Sequence, residues 1–267
     1  MADPAIISAM LIALLLALPG ALVAQPPSDT LRLSLGSKEV DASYFQPHAA
    51  HVRVYVKTPG GEERMRAEWI NVLTVGDSAG IKVHRWVTTG TQYPPTGDPV
   101  RWELKQTYDA RTLTPYGIAR TVSNGSASAF RIEGNRVTGW RRANATAPQR
   151  DTSWMVAQLG FVASASDLVP LAVGFSPGKV MTAPLWGPNM PTSEMRIFTV
   201  IGETEVEVEG AKVRAWKVEE RRQADRVLIA TWWLTPRSPY MVYGEVPLPD
   251  GSIQRMTEVE VPMPKQP

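Results

Sequence analysis

Apolar and polar side chains alternate strictly through short segments along most of this chain, and that alternation limits its fold more than any other feature. Leu31, Leu33 and Leu35 alternate with Arg32 and Ser34, Val52, Val54 and Val56 with Arg53, Tyr55 and Lys57, and Val100, Trp102 and Leu104 with Arg101, Glu103 and Lys105. Successive side chains of a strand point to opposite faces, so each run buries one face and wets the other. Segment 63–75 extends the pattern, with Met65, Ala67, Trp69, Leu73 and Val75 on one face. Ile70 and Val72 make the second half of that segment apolar on its far face too, as a strand covered on both sides requires.

Turn chemistry separates these runs. Thr58-Pro59-Gly60-Gly61 is a turn, segment 76–80 is a hairpin loop, and Asn124-Gly125, Gly134-Asn135 and Asp250-Gly251 accept the positive φ of tight hairpins. Alternation fails from 154 to 163, and 152–174 reads as one or two short helices, capped by Ser166 or Asp167 with Pro170 in the first turn. Segment 176–192 holds Pro177, Pro184, Pro188 and Pro191 and reads as irregular chain wrapping the sheet. A second strand series starts at Met195, passes through Val206 and Val208 and continues in 212–219, 227–234, 240–246 and 253–261. The expected fold is mainly β, a curved antiparallel sheet or open barrel of about eleven or twelve strands around the short helical insert.

Residues 5–18 are nearly unbroken Ala, Ile, Leu and Met, ended by Pro19 and Gly20, as in a secretory signal peptide cleaved after Ala24. A membrane anchor competes, because 6–24 is long enough to cross a bilayer. The absence of Lys or Arg before the apolar run leaves that anchor no positive-inside flank. The expected organisation is a signal peptide at 1–24 and a single β-rich domain at 25–267, in the periplasm or secreted. With no cysteine, thiolate metal sites, disulfides and cysteine nucleophiles are excluded. A net charge of +2 is too small for an electrostatic nucleic-acid footprint.

The run 206–219 (Val-Glu-Val-Glu-Gly-Ala-Lys-Val-Arg-Ala-Trp-Lys-Val-Glu), the run 232–236 (Trp-Trp-Leu-Thr-Pro) and the Asp250-Gly251 hairpin together resemble the bacterial family labelled domain of unknown function 3108. Segments 109–115 and 168–174 are similar to stretches that recur in such exported proteins. The resemblance implies a periplasmic β-rich fold without an assigned activity, and it carries over no functional residue.

Gly76-Asp77-Ser78-Ala79-Gly80 has the spacing of a nucleophile elbow, which works only at a strand-to-helix turn followed by an acid and a histidine. Of His48, His51 and His84, only His84 follows Ser78, and it stands in the next strand of the hairpin. A serine hydrolase at Ser78 is therefore the least favoured reading. His48 and His51 have helical metal-ligand spacing, but Pro47 and the strand at Val52 argue against a helix, and they read as solvated loop residues. Glu203, Glu205, Glu207 and Glu209 project side by side from a strand as a solvated face rather than converging on calcium. Arg141-Arg142 and Arg221-Arg222 read as loop charges.

The nine tryptophans go beyond what a plain sheet needs. Burying one aromatic ring removes about 150–250 Å² from water, worth roughly 4–6 kcal/mol, so packing alone accounts for them. Aromatic-lined concave sheets are also how barrel-like proteins hold apolar ligands. The leading expectation is a non-catalytic periplasmic or secreted protein that binds a lipid or similar apolar molecule, or an envelope partner. Trp69, Trp102 and Trp233 are its expected ligand-binding residues, without cofactor or metal. The alternative is an interaction module with no small-molecule site, using a sheet edge or segment 176–192.

Overall fold

The computed structural model describes residues 29–190 and 192–264, so the expected leader at 1–24 lies outside the described residues. In chain order the strands are β1 (Leu31–Arg32), β2 (His48–Lys57), β3 (Glu63–Ser78), β4 (Ile81–Gln92), β5 (Val100–Asp109), β6 (Pro115–Val122), β7 (Ala127–Glu133), β8 (Arg136–Arg142), β9 (Arg150–Met155), β10 (Phe161–Val162), β11 (Val180–Trp186), β12 (Glu194–Val208), β13 (Ala211–Arg222), β14 (Leu228–Leu234), β15 (Met241–Pro247) and β16 (Ile253–Val261). A 3₁₀ turn at Ala163–Ala165 and a six-residue helix, α1 (Leu168–Val173), lie between β10 and β11.

The chain is mainly β, as the alternation requires, but the described residues form sixteen strands rather than eleven or twelve. All belong to one sheet, ordered β1-β11-β12-β13-β14-β15-β16-β2-β3-β4-β5-β6-β7-β8-β9, with β10 also on β11. Within each strand series, neighbours in sequence are antiparallel neighbours in space, and β16 pairs with β2 to join the two series. Only β1 and β10 run parallel to their neighbour, each along a different part of β11, with Leu31 opposite Met181 and Phe161 opposite Leu185.

Three of the additional strands lie in the two stretches not read as strand. β9 and β10 take residues 152–155 and 161–162 of the stretch read as helix, in which only α1 is α-helix. β11 runs through the stretch read as irregular. From Met181 to Trp186 every residue of β11 is buried, and a strand covered on both faces carries no period-two signal. Pro184 falls between the segments of β11 that pair with β1 and with β10, a break of the kind where a strand tolerates proline. Neither residue expected to cap the helix does so. Asp167 makes no side-chain cap bond, and Ser166 Oγ instead donates to Glu220 Oε2 at 2.8 Å.

Long twisted strands curl the sheet. β3 has sixteen residues, roughly 50 Å of chain, and its right-handed twist accumulates from strand to strand. The curl brings Trp186, at the end of β11, against Tyr108, Ile118, Phe130, Ile132 and Val137 of β5–β8. The two ends of the sheet thus face each other across the interior, yet no ladder joins β9 to β1, β10 or β11 among the described residues. The result is an open barrel. Leu168, Val169, Leu171 and Ala172 of α1 fill part of its interior, in one cluster with Phe45, Leu73, Phe198 and Leu234.

One hairpin lies outside the curl. Past an irregularity between Val200 and Gly202, the distal part of β12–β13 bends over the convex face. Val206, Val208, Val213 and Ala215 pack there with Trp233, Val242, Tyr243 and Val259. The tip reaches β2, where Arg53 pairs with Glu209.

Candidate functional site: an arginine-rimmed aromatic cavity

The register places Trp69 of β3 opposite Gly90 of β4, and Gly90 opposite Trp102 of β5. A side chain between the two rings would hold them apart, and Gly90 supplies none. A Cβ at that position would lie 2.6 Å from Trp69 Cβ, 2.7 Å from the Glu68 carbonyl oxygen and 2.9 Å from Trp102 Cζ2. The indoles therefore meet, with centroids 5.9 Å apart and planes at 59°.

These two rings line a cavity of about 1010 Å³. Leu104, Ile118 and Phe130 extend its apolar wall along β5–β7, and Val162, Ala163 and Ser164 close it on the side of α1. Gln106 Nε2 donates to Ser164 Oγ at 2.9 Å, fixing that wall to β5. Residues 187–190 form part of the rim, so the proline-rich segment supplies an edge of the cavity in its last part only. Both tryptophans are half-buried. Of the five charged residues at the cavity, Arg66, Arg120, Arg141, Arg142 and Arg150, all are arginines.

Trp233 is elsewhere. It does not line the cavity and sits on the convex face beneath the β12–β13 hairpin. There its Nε1 donates to Thr204 Oγ1 at 3.1 Å, its ring meets Tyr243 edge-on at 5.1 Å, and Lys217 Nζ stands 5.4 Å from its centroid. The grouping of Trp69, Trp102 and Trp233 is corrected to the first two. In 232–233 both faces of β14 are apolar, and sequence cannot say that the second face is covered by a hairpin of the same chain. Trp232 is the inward member of the pair, its Nε1 donating to Glu220 Oε2 at 3.0 Å.

The interior beside the cavity holds buried acids. Glu258 stands across Val52 from Trp69 in the same row of the sheet, and burial, with Asp167 nearby, pushes its carboxyl up to about 8. Burial also raises Asp167, to about 7, and raises Glu220 despite its hydrogen bonds from Trp232 and Ser166 and the nearby Arg196. Asn71 bridges to this group, donating from Nδ2 to Glu258 Oε1 at 3.4 Å and accepting from Thr88 Oγ1 at 2.9 Å.

The remaining sequence candidates fall apart from the cavity. Ser78 ends β3 at a two-residue turn in which Ala79 and Gly80 take φ of 49° and 81°, so no helix follows it. His84 pairs with Val75, three residues before Ser78, so the two side chains face opposite sides of the hairpin. His84 is buried, with Nε2 3.0 Å from the Ala42 carbonyl oxygen. His48 and His51 are not solvated loop residues. Both belong to β2, His48 is buried, and His51 Nε2 lies 3.2 Å from Glu68 Oε2. Glu203, Glu205, Glu207 and Glu209 are exposed as expected, with Arg214, Lys212 and Arg53 pairing three of them. Arg141-Arg142 and Arg221-Arg222 end β8 and β13 rather than standing in loops.

Sequence reasoning reads Arg141-Arg142 only as loop charges and passes over Arg66, Arg120 and Arg150, which carry no local signal. Only the cross-strand register brings Arg120, Arg141 and Arg150 together.

No family model matches this chain, and no curated protein does, so the likeness to domain of unknown function 3108 rests on the residues quoted for it alone. Among solved structures, the chain is similar to a crystal structure of a β-barrel-like protein of domain of unknown function DUF1849 from Brucella abortus. The TM-score is 0.46 at 9% identity, over 80% of this chain and 96% of that one.

Proposed function

We propose that this protein is an exported, non-catalytic carrier, periplasmic or secreted, that holds a hydrophobic molecule against Trp69 and Trp102. The observation that carries the reading is the cavity of about 1010 Å³ left open beside a core that the chain fills elsewhere with its own helix. Protein interiors pack to crystal density, with few voids larger than a water molecule. An open, aromatic-walled space of this size matches the upper end of small-molecule pockets, about 300–1,000 Å³. The carrier reading needs no reacting group, and it gives the half-exposed indoles a partner.

The test is a titration of the purified protein with a panel of fatty acids and phospholipids, followed by tryptophan emission and thermal unfolding. A ligand that prefers the native state raises the melting temperature with concentration, by the equivalent of about 2.7 kcal/mol at a hundred times its Kd. Trp102→Ala weakens binding, whereas Trp233→Ala, on the opposite face, costs stability and leaves the affinity as it was. If no member of the panel moves either signal, the carrier reading fails.

A second reading is favoured by one edge of the sheet. β9 pairs only with β8 among the described residues, and Met155 on it is 67% exposed. An envelope partner adding a strand there is the interaction-module alternative, and a Met155→Pro variant that loses such a partner while keeping the ligand supports it.

A further inference from the structure

The five arginines at the cavity have no acidic counterpart in its lining. Three of them share one row of the sheet. The register runs Leu104, Arg120, Ser128, Arg141, Arg150 from β5 to β9. The next row runs Gln106, Ile118, Phe130, Gly139, Thr152, and its Ile118 and Phe130 belong to the apolar wall. A cationic row therefore borders an apolar one along the same strands.

Arg141 and Arg150 stand directly opposite each other, an arrangement that destabilises a sheet. Elsewhere Arg196 and Arg222 also stand opposite each other, and Glu194 pairs with both. No carboxylate does so for Arg120, Arg141 or Arg150 among the described residues. The Arg141 guanidinium lies 5.9 Å from the centroids of both Phe130 and Trp154. Ring faces hold that cation at the border of the apolar wall without occupying its donors. Of the other two, Arg66 donates to the Tyr93 carbonyl and Arg142 Nε to the Gly125 carbonyl.

We infer that the molecule carried is an amphiphile with an anionic head group, its acyl chain on Trp69, Trp102 and Phe130 and its phosphate or carboxylate on Arg120, Arg141 and Arg150. The guanidinium fork matches either group in bidentate fashion. The bound anion supplies the charge that the row lacks. This inference rests on the carrier reading and adds the class of ligand to it.

Three probes with one chain length separate the possibilities: hexadecyl phosphate, hexadecanoate and hexadecanol, each titrated below its aggregation threshold into the full-length protein as exported by its host. Inorganic phosphate serves as the free anion. The expected result is that the two anionic amphiphiles bind about tenfold or more tighter than the alcohol, as charge-assisted hydrogen bonds allow. The gap narrows as salt rises, and inorganic phosphate alone binds far more weakly than hexadecyl phosphate. Whichever anion binds tighter identifies the head group. Arg120→Gln combined with Arg141→Gln shrinks the ratio of anion to alcohol affinity, while Arg150→Gln both weakens the anions and raises the melting temperature of the ligand-free protein. An arginine held only for structure would lower that temperature. Equal affinity for alcohol and anions, or inorganic phosphate binding as tightly as hexadecyl phosphate, overturns the inference while the carrier reading stands. Failure of all three chains to bind removes both.

Discussion

At the scale of the residue, Gly90 matters for what it lacks. Its missing side chain lets two indoles from strands on either side of it converge, and the same space cannot take even a methyl group without moving Trp69 or the β3 backbone. Gly90→Ala is expected to cost about 1–3 kcal/mol, as overpacking does, and to weaken the apolar ligand. Urea unfolding and the emission titration read the two effects, and an unchanged midpoint counts against the close packing described. Glu258 shows the opposite economy, a polar group kept where water is absent. Its carboxyl, pushed up to about 8 by burial, holds its proton more tightly in the folded protein than in the unfolded chain, where carboxyls titrate near ~4. Its contribution is fully present below about pH 4 and is lost as pH rises through about 8. Asp167 and Glu220 shift in the same direction. These acids therefore lower stability as pH rises from about 5 to about 8.5, while the buried His48 and His84, whose pKa values burial lowers, act in the opposite direction. Glu258→Gln should remove its own share of the fall, and a melting-temperature profile with the parent's slope in that variant contradicts the assignment.

At the scale of the element, the β12–β13 hairpin does two jobs. Its near half is sheet, with Phe198 and Val218 in the core, and its far half is a cover for the convex face. Trp233→Ala is expected to cost about 3 kcal/mol, the low end for truncating a buried tryptophan because the ring is only half-buried. Arg53→Ala, which removes one exposed partner of Glu209, should cost under about 1 kcal/mol. Chemical denaturation of both variants checks the order, and a reversal means that the tip, not the apolar layer, fastens the hairpin. α1 is the inner counterpart of this cover. It is far shorter than the stretch read as helical, which also holds the end of β9, β10, a 3₁₀ turn and irregular chain. Its Leu171 is fully buried, and Leu171→Ala should destabilise by about 2–5 kcal/mol.

At the scale of the whole molecule, a sheet that curls without closing has a seam and two ends. The β16–β2 seam, paired along its length, lies in the middle of the strand order, while β9 stands at one end with an unpaired flank. Opening free energies follow burial and pairing. Amide hydrogen exchange should therefore be slowest in β2, β3 and β16 and fastest in β9, and a bound amphiphile should slow it in β5–β8, where the cavity wall lies. Protection that grows in β13–β15 instead would move the site to the other side of the molecule.

The alternation at Val52, Val54 and Val56 or at Trp102 and Leu104 determines, by itself, that these residues are strands and which of their faces is buried, because a strand's side-chain period is a local property of the backbone. Tight turns at Asn124-Gly125 and Asp250-Gly251 are equally local. β11 could not be read this way, since burial on both faces erases the period, and neither could the strand count that depends on it. The inward phase of Trp69 and Trp102 was legible, but their contact was not, because it depends on which strand pairs with which and on Gly90 falling between them in register. Trp233 was placed on the wrong side for the same reason: a strand apolar on both faces does not say which layer covers each. Only the cross-strand register of β6 to β9 decided that Arg120, Arg141 and Arg150 share one row, since these residues are separated in the chain and nothing local links them.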